Sequence, residues 1–157
     1  MGDVDEANSA IGVALLHVRE EGHRATLRRI QNELFDLGAD LATPGEDFVP
    51  NEMTLRIVQP QIDRLEREID AMNEALEPLR SFILPGGEDG AGHLHLARTT
   101  VRRAERSAIA AARAVSLNPL ALIYLNRLSD HLFVLARLVA SGTGGDILWQ
   151  PGATRKD

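Results

Sequence analysis

Leu94-His95-Leu96-Ala97-Arg98-Thr99-Thr100-Val101-Arg102-Arg103-Ala104-Glu105-Arg106 is the stretch from which the fold class is read. Carried on to Val115, its apolar positions are Leu94, Ala97, Val101, Ala104, Ala108, Ala111 and Val115, alternating steps of three and four residues. That period lines them along one face of an α-helix, where a strand would need alternation by two. On this helix Arg98 and Glu105 fall at the edge of the apolar seam, Arg102 lies on its boundary, and Arg103 and Arg106 point away. A guanidinium beside an apolar seam loses hydration, and it must find an anion or a carboxylate to offset that loss. Two seam arginines against one glutamate leave positive charge over, which makes a polyanion site one reading of the stretch. An ordinary solvated basic face is the other.

The same period recurs on both sides. It runs through Val4, Ala7, Ile11, Ala14 and Val18; Leu27, Ile30, Leu34, Leu37 and Leu41; Val58, Ile62, Leu65, Ile69, Met72, Leu76 and Leu79; and Leu125, Leu128, Leu132, Leu135 and Val139. An all-α, five-helix bundle in a single domain over residues 1–157 follows. Gly22, Thr43-Pro44-Gly45, Pro85-Gly86-Gly87 and Asn118-Pro119 mark the breaks, with Asn118 suited to cap the last helix and Pro119 to its first turn. After Ser141 the run Gly142-Thr143-Gly144-Gly145 predicts a flexible tail from about residue 142.

Composition removes several classes of function. The formal charge of −6 disfavours a broad nucleic-acid surface and confines any anion site to a local cluster. Without cysteine there are no thiolate metal sites or cysteine nucleophiles, and Lys156 as the only lysine removes a Walker-type phosphate loop. Neither a signal peptide nor a bilayer-length apolar run is present, so the expected compartment is the cytoplasm, with no membrane partner. A two-metal carboxylate centre needs paired Glu-x-x-His motifs, and only Glu20 to His23 supplies one. His17, His93, His95 and His131 read as surface or capping histidines, and Ser129-Asp130-His131 cannot form a triad from adjacent positions on one helix.

Two features exceed a plain bundle. Ser81-Phe82-Ile83-Leu84-Pro85-Gly86-Gly87 is either one wall of a ligand pocket or a hydrophobic connector plugging the bundle end. The alanines at 104, 108, 110, 111, 112 and 114 let another helix approach closely, from the same chain or from a neighbouring subunit.

Four blocks, in order, resemble the propanediol-utilisation type of ATP:cob(I)alamin adenosyltransferase. They are Gly2-Asp3-Val4-Asp5-Glu6-Ala7-Asn8-Ser9; the stretch Gln31 to Leu41; Phe82-Ile83-Leu84-Pro85-Gly86-Gly87 leading into the arginine helix; and Tyr124-Leu125-Asn126-Arg127-Leu128-Ser129-Asp130. The resemblance implies a homotrimeric five-helix bundle that moves the deoxyadenosyl group of ATP to reduced cobalamin, with ATP and cobalamin as substrates and Mg²⁺ as the accompanying ion. It implies that Arg98 and Arg102 hold the triphosphate, that Glu105 fixes the nucleotide end, and that Arg103, Arg106 and Asn126 contact the nucleotide. It implies too that Asp5 pairs with Arg98 across the subunit interface and that Phe82 stands beside the corrin and helps displace its lower axial base. A flavoprotein reductant and an adenosylcobalamin-dependent mutase are the implied partners. The family's upstream phosphate-wrapping segment is expected to be absent before Met1, and no protein ligand for the metal is identified. The competing expectation is a non-catalytic bundle that binds nucleotide or finished adenosylcobalamin and delivers it to a mutase.

Overall fold

Each apolar seam becomes a helix in the computed structural model, which describes residues 1–155 and leaves Lys156 and Asp157 outside the described residues. The helices are α1 (Gly2–Leu15), α2 (Glu21–Leu41), α3 (Gln59–Asn73), α4 (Ala91–Ala111) and α5 (Pro119–Ser141). Among the described residues the only β-type pairings are isolated bridges, Asn51 with Thr54 and Ile83 with Leu148.

Local chemistry sets the helix starts. The Glu20 carboxylate accepts from the backbone N–H groups of Gly22 at 2.9 Å and His23 at 2.7 Å, and these bonds hold it below its ordinary pKa. Asn118 caps α5 by accepting from the Leu120 N–H at 3.0 Å, with Pro119 in the first turn. Gly90, at φ +91°, begins α4; a Cβ there would stand 3.0 Å from Val18 Cγ2, so only glycine lets α4 start this close to the end of α1.

α4 lies between α1 and α5, while α2 packs on α1 and α3 on α5. Ile11, Leu27, Ile30, Leu34, Leu37, Leu65, Leu94, Val101, Leu125, Leu128 and Leu132 close the core. α2 and α3 meet through charge: Arg29 pairs with Glu68 at 2.8 Å and Arg64 with Glu33 at 3.4 Å. Tyr124 donates to Glu33 Oε2 at 2.6 Å, and burial followed by the Glu33 charge raises its pKa well above the ordinary value. Asp40, fully buried, accepts from Arg56 at 2.7 Å, the Ile57 N–H at 2.8 Å and Asn118 at 2.7 Å, tying the connector before α3 to the ends of α2 and α5.

Several expectations require correction. The third seam does not continue to Leu79, because α3 stops at Asn73 and Pro78 restricts Glu77 and cannot donate to a helix. Ala111 and Val115 are exposed: α4 stops at Ala111, so Val115 lies beyond the helix, and α1's first turn packs beside Ala104 and Ala108. His131 and His95 are buried, neither surface nor capping residues; His131 Nε2 lies 2.9 Å from Glu68 Oε2. The segment after Ser141, expected as a flexible tail, is held by chain pairing, with the Leu84 N–H donating to the Ile147 carbonyl at 2.7 Å and the Trp149 N–H to that of Phe82 at 2.8 Å. Among the described residues no helix is long and apolar enough to cross a membrane.

Candidate active site

The site grows from the face that α4 turns toward α5. His95 and Arg98 stand one helical turn apart on α4, and Phe133 of α5 lies against both: its ring centroid is 6.1 Å from that of His95 and 5.9 Å from the Arg98 guanidinium carbon. These three side chains form one wall of a cavity of about 480 Å³, and Leu79, Ser81, Phe82, Ile83 and Pro85 form the other. Phe82 is 77 % exposed and meets Trp149 edge-on at 5.9 Å. The tail pairing that holds residues 82 to 84, helped by the Ser81 hydroxyl donating to the Trp149 carbonyl at 3.1 Å, fixes this aromatic wall. Of the two readings of residues 81 to 87, the pocket wall is the one the structure supports: Ser81, Phe82, Ile83 and Pro85 line the cleft, and none of the seven residues is buried.

Electrostatically the cleft is cationic. Among the described residues Arg98 has no carboxylate within ion-pair distance, and its Nε is buried without a hydrogen-bond partner. Burial, and then the neighbouring Arg102 charge, pull its pKa below the ordinary guanidinium value. His95 is lowered by burial and then by the Arg98 charge, with Asp146 acting weakly in the opposite sense.

One turn further along α4 lies a hydrogen-bonded chain. The buried Glu105 carboxylate accepts from Arg102 through one oxygen and from Asn126 Nδ2 of α5 at 2.9 Å through the other. Asn126 Oδ1 accepts from Arg127 at 2.6 Å, and Arg127 pairs with Asp130 at 2.8 Å. Arg106 reaches back to the Arg102 carbonyl at 3.2 Å. A single carboxylate therefore sets the rotamers of an arginine and an asparagine on facing helices. The Arg102 side chain remains 45 % exposed, leaving donors free for an incoming anion.

The structure brings Phe82 and Arg98 into one cavity, with Arg102, Glu105, Asn126 and Arg106 in the adjoining cluster. Arg103 is exposed and off the apolar seam, as expected, and it ion-pairs with Glu6 and lies 3.9 Å from Asp3, both on α1. Asp5 sits elsewhere, exposed on α1 in a groove with Phe35, Leu34 and Gly38 of α2, and among the described residues it makes no ion pair. Sequence reading missed His95, Phe133 and Leu79 as lining residues, and Trp149 as the ring that meets Phe82. His95 alone left a signal, at three residues before Arg98 on the same helix face. A larger cavity of about 670 Å³, around His17, Arg19, Asp89 and His93, lies apart from this chemistry, and its Arg19 and Asp89 neutralise each other at 2.7 Å. Among the described residues no group of three or more histidine or carboxylate side chains could hold a metal ion.

Compared with known proteins, residues 1–139 match the family model described as cobalamin adenosyltransferase. A corrinoid adenosyltransferase of Mycobacterium leprae is 53% identical over 157 residues, covering 96% of this chain and 80% of the relative. The corrinoid adenosyltransferase of Bacillus subtilis is 40% identical, covering 97% of this chain and 79% of the relative. Among solved structures, a variant PduO-type ATP:corrinoid adenosyltransferase from Lactobacillus reuteri complexed with cobalamin and ATP superposes with a TM-score of 0.84 at 36% identity, covering 95% of this chain and 83% of that one.

Proposed function

The chain belongs to the cobalamin adenosyltransferase family, and from that premise we propose that it transfers the deoxyadenosyl group of ATP to a reduced corrinoid through the cleft between α4, α5 and residues 79–85. The observation that carries this reading is the pairing, in one cavity, of an uncompensated Arg98 with the apolar walls of Phe82 and Phe133. An anion and a flat apolar ring system need such walls side by side.

The bookkeeping of the reaction explains why no general base is required. The electron pair of Co(I) forms the bond to the ribose 5′ carbon, the bond from that carbon to the triphosphate oxygen breaks, and triphosphate leaves with the electrons of the broken bond. Negative charge concentrates on the departing oxygen, so preorganised cations act mainly in the transition state. Arg98 and Arg102 are the groups placed for this. Glu105 holds Arg102 and Asn126 in fixed orientation, so neither must reorganise as the charge moves. Asn126 and Arg106 complete the nucleotide side, and Arg103 joins it only by leaving its α1 carboxylates. Phe82 gives the corrin's lower face an apolar neighbour, which disfavours a water or base ligand below cobalt. The acidic residues around the cleft are individually engaged, so Mg²⁺ fits as an ion carried by the triphosphate oxygens.

A homotrimer completes this picture. Asp5 and Arg98 are opposite charges without partners in their own chain among the described residues, and a neighbouring copy that brings them together would neutralise both. The reductant would be a flavoprotein and the recipient an adenosylcobalamin-dependent mutase, in the cytoplasm. Incubating the protein with Mg-ATP and chemically reduced cobalamin tests the central reading: formation of adenosylcobalamin with release of triphosphate is expected, and binding of both substrates without turnover would leave a carrier instead.

A further inference from the structure

Inside the cleft His95 is a side chain that neither the arginine cluster nor the aromatic walls require. It is 4% exposed and lines the cavity with Phe82 and Phe133, and among the described residues its buried Nδ1 has no hydrogen-bond partner. The Phe133 ring lies edge-on to it at 6.1 Å. A phenylalanine or leucine would fill the same wall without stranding a polar atom, and burying such an atom unpaired carries a real cost. The imidazole is useful only if a ligand supplies the missing partner.

We infer that His95 binds a peripheral carboxamide arm of the corrin through one hydrogen bond at Nδ1. Nδ1 of a neutral imidazole is a donor or an acceptor according to the tautomer, and a primary carboxamide carries the complement to either. The flanking groups favour the neutral ring. Arg98, one turn away on α4, repels a second cation, and Asp146 from the segment after α5 is engaged by Arg137 at 2.8 Å. A triphosphate, by contrast, would want the charged ring and offers no donor. His95 thereby separates the two substrates within one cleft: Arg98 takes the anion and His95 the edge of the macrocycle. This rests on the corrin reading of the cleft given above.

Steady-state kinetics on the full-length protein test it, with cob(I)alamin and reduced cobinamide each varied at saturating ATP, and ATP varied in turn. His95→Phe should raise KM for both corrinoids roughly tenfold, the worth of one buried hydrogen bond, while KM for ATP stays near wild type. His95→Gln, which restores a donor and an acceptor, should recover most of the loss. Should the phenylalanine variant fail to fold, His95→Leu gives the same comparison. An unchanged corrinoid KM, an equal rise in the KM for ATP, or a loss confined to cobalamin and absent with cobinamide would each overturn the assignment. Normal wild-type turnover that Phe82→Ala impairs and His95→Phe does not would sink this inference alone; a wild type without corrinoid turnover would sink the cleft reading with it.

Discussion

Replacing Arg98 by methionine should remove turnover while leaving the protomer as stable as before. Within one chain the guanidinium has little to lose: among the described residues it has no carboxylate partner, its Nε is unpaired, and its clearest contact is the Phe133 ring at 5.9 Å. A cation at that distance from a ring contributes about 0.5–1 kcal/mol, and removing the cation also relieves the desolvation that lowers its pKa. The two effects oppose each other, so the protomer's stability should move by no more than about 1 kcal/mol. Catalysis should behave differently, because loss of one preorganised charge at the departing triphosphate typically lowers kcat roughly 10²–10³-fold. Urea unfolding at two protein concentrations, alongside single-turnover rates, separates the contributions: any stability loss from a broken Asp5–Arg98 contact between copies depends on concentration, and a loss inside the chain does not. A concentration-independent loss above about 2 kcal/mol, or a kcat within about threefold of wild type, would refute the assignment of Arg98 to ligand rather than fold.

Asp5→Asn should weaken self-association in sedimentation velocity and lower activity in parallel; an unchanged profile with full activity would remove Asp5 from the interface. Asp40→Ala should cost about 3–5 kcal/mol in chemical denaturation, since it strands the buried Arg56 and the Ile57 N–H together; a loss under about 1 kcal/mol would show that the chain end of α2 repacks freely. Glu68 carries a pH signature. Burial alone would raise its pKa, but hydrogen bonds from His131 and Arg29 outweigh it and leave the folded value lowered, so its stabilisation is complete above the ordinary glutamate range and lost as pH falls through the lowered value. Glu68→Gln should therefore flatten the acid limb of the stability curve, and an acid limb identical to wild type would assign it to other carboxylates.

The number and type of elements were legible because a helical period is a local property: Leu94, Ala97, Val101 and Ala104 mark a buried face whatever packs upon it. Where a seam ceases to matter is not local. Ala111 and Val115 continue the period of Ala104 and Ala108 in sequence and yet are exposed, since α4 ends at Ala111 and leaves Val115 beyond the helix. Leu79 kept the rhythm of Leu65 and Met72 but belongs to the cleft, after Pro78 has broken the helix. The site divides in the same way. Arg98, Arg102 and Glu105 could be placed from spacing on one helix, whereas Phe133 and Trp149 join them through α5 and through the pairing of residues 147–149 with 82–84, long-range geometry with no sequence period.

What distinguishes the cleft physically is one exception among the arginines that are at least partly buried. Arg24 donates to the carbonyls of Leu15 and Val18, Arg29 pairs with Glu68, and Arg56 with Asp40. Arg127 pairs with Asp130, and Arg137 with Asp146 and the Glu77 carbonyl. The bundle thus supplies an acceptor to each of these, and the same economy would have served Arg98 had a carboxylate replaced Phe133 beneath it. Instead α5 offers Arg98 an aromatic face, which holds a guanidinium in place without neutralising it. A fold that compensates the others and leaves this one poised against a ring stores charge for something that arrives from outside. Of the candidates, a carboxylate from a second copy would settle the charge permanently, whereas a triphosphate settles it only while bound. If both act, Asp5 of a neighbour would orient the guanidinium and the nucleotide would use its free face, so Asp5→Asn should depress kcat beyond what its weakening of assembly explains when both variants are compared at protein concentrations that keep them fully associated.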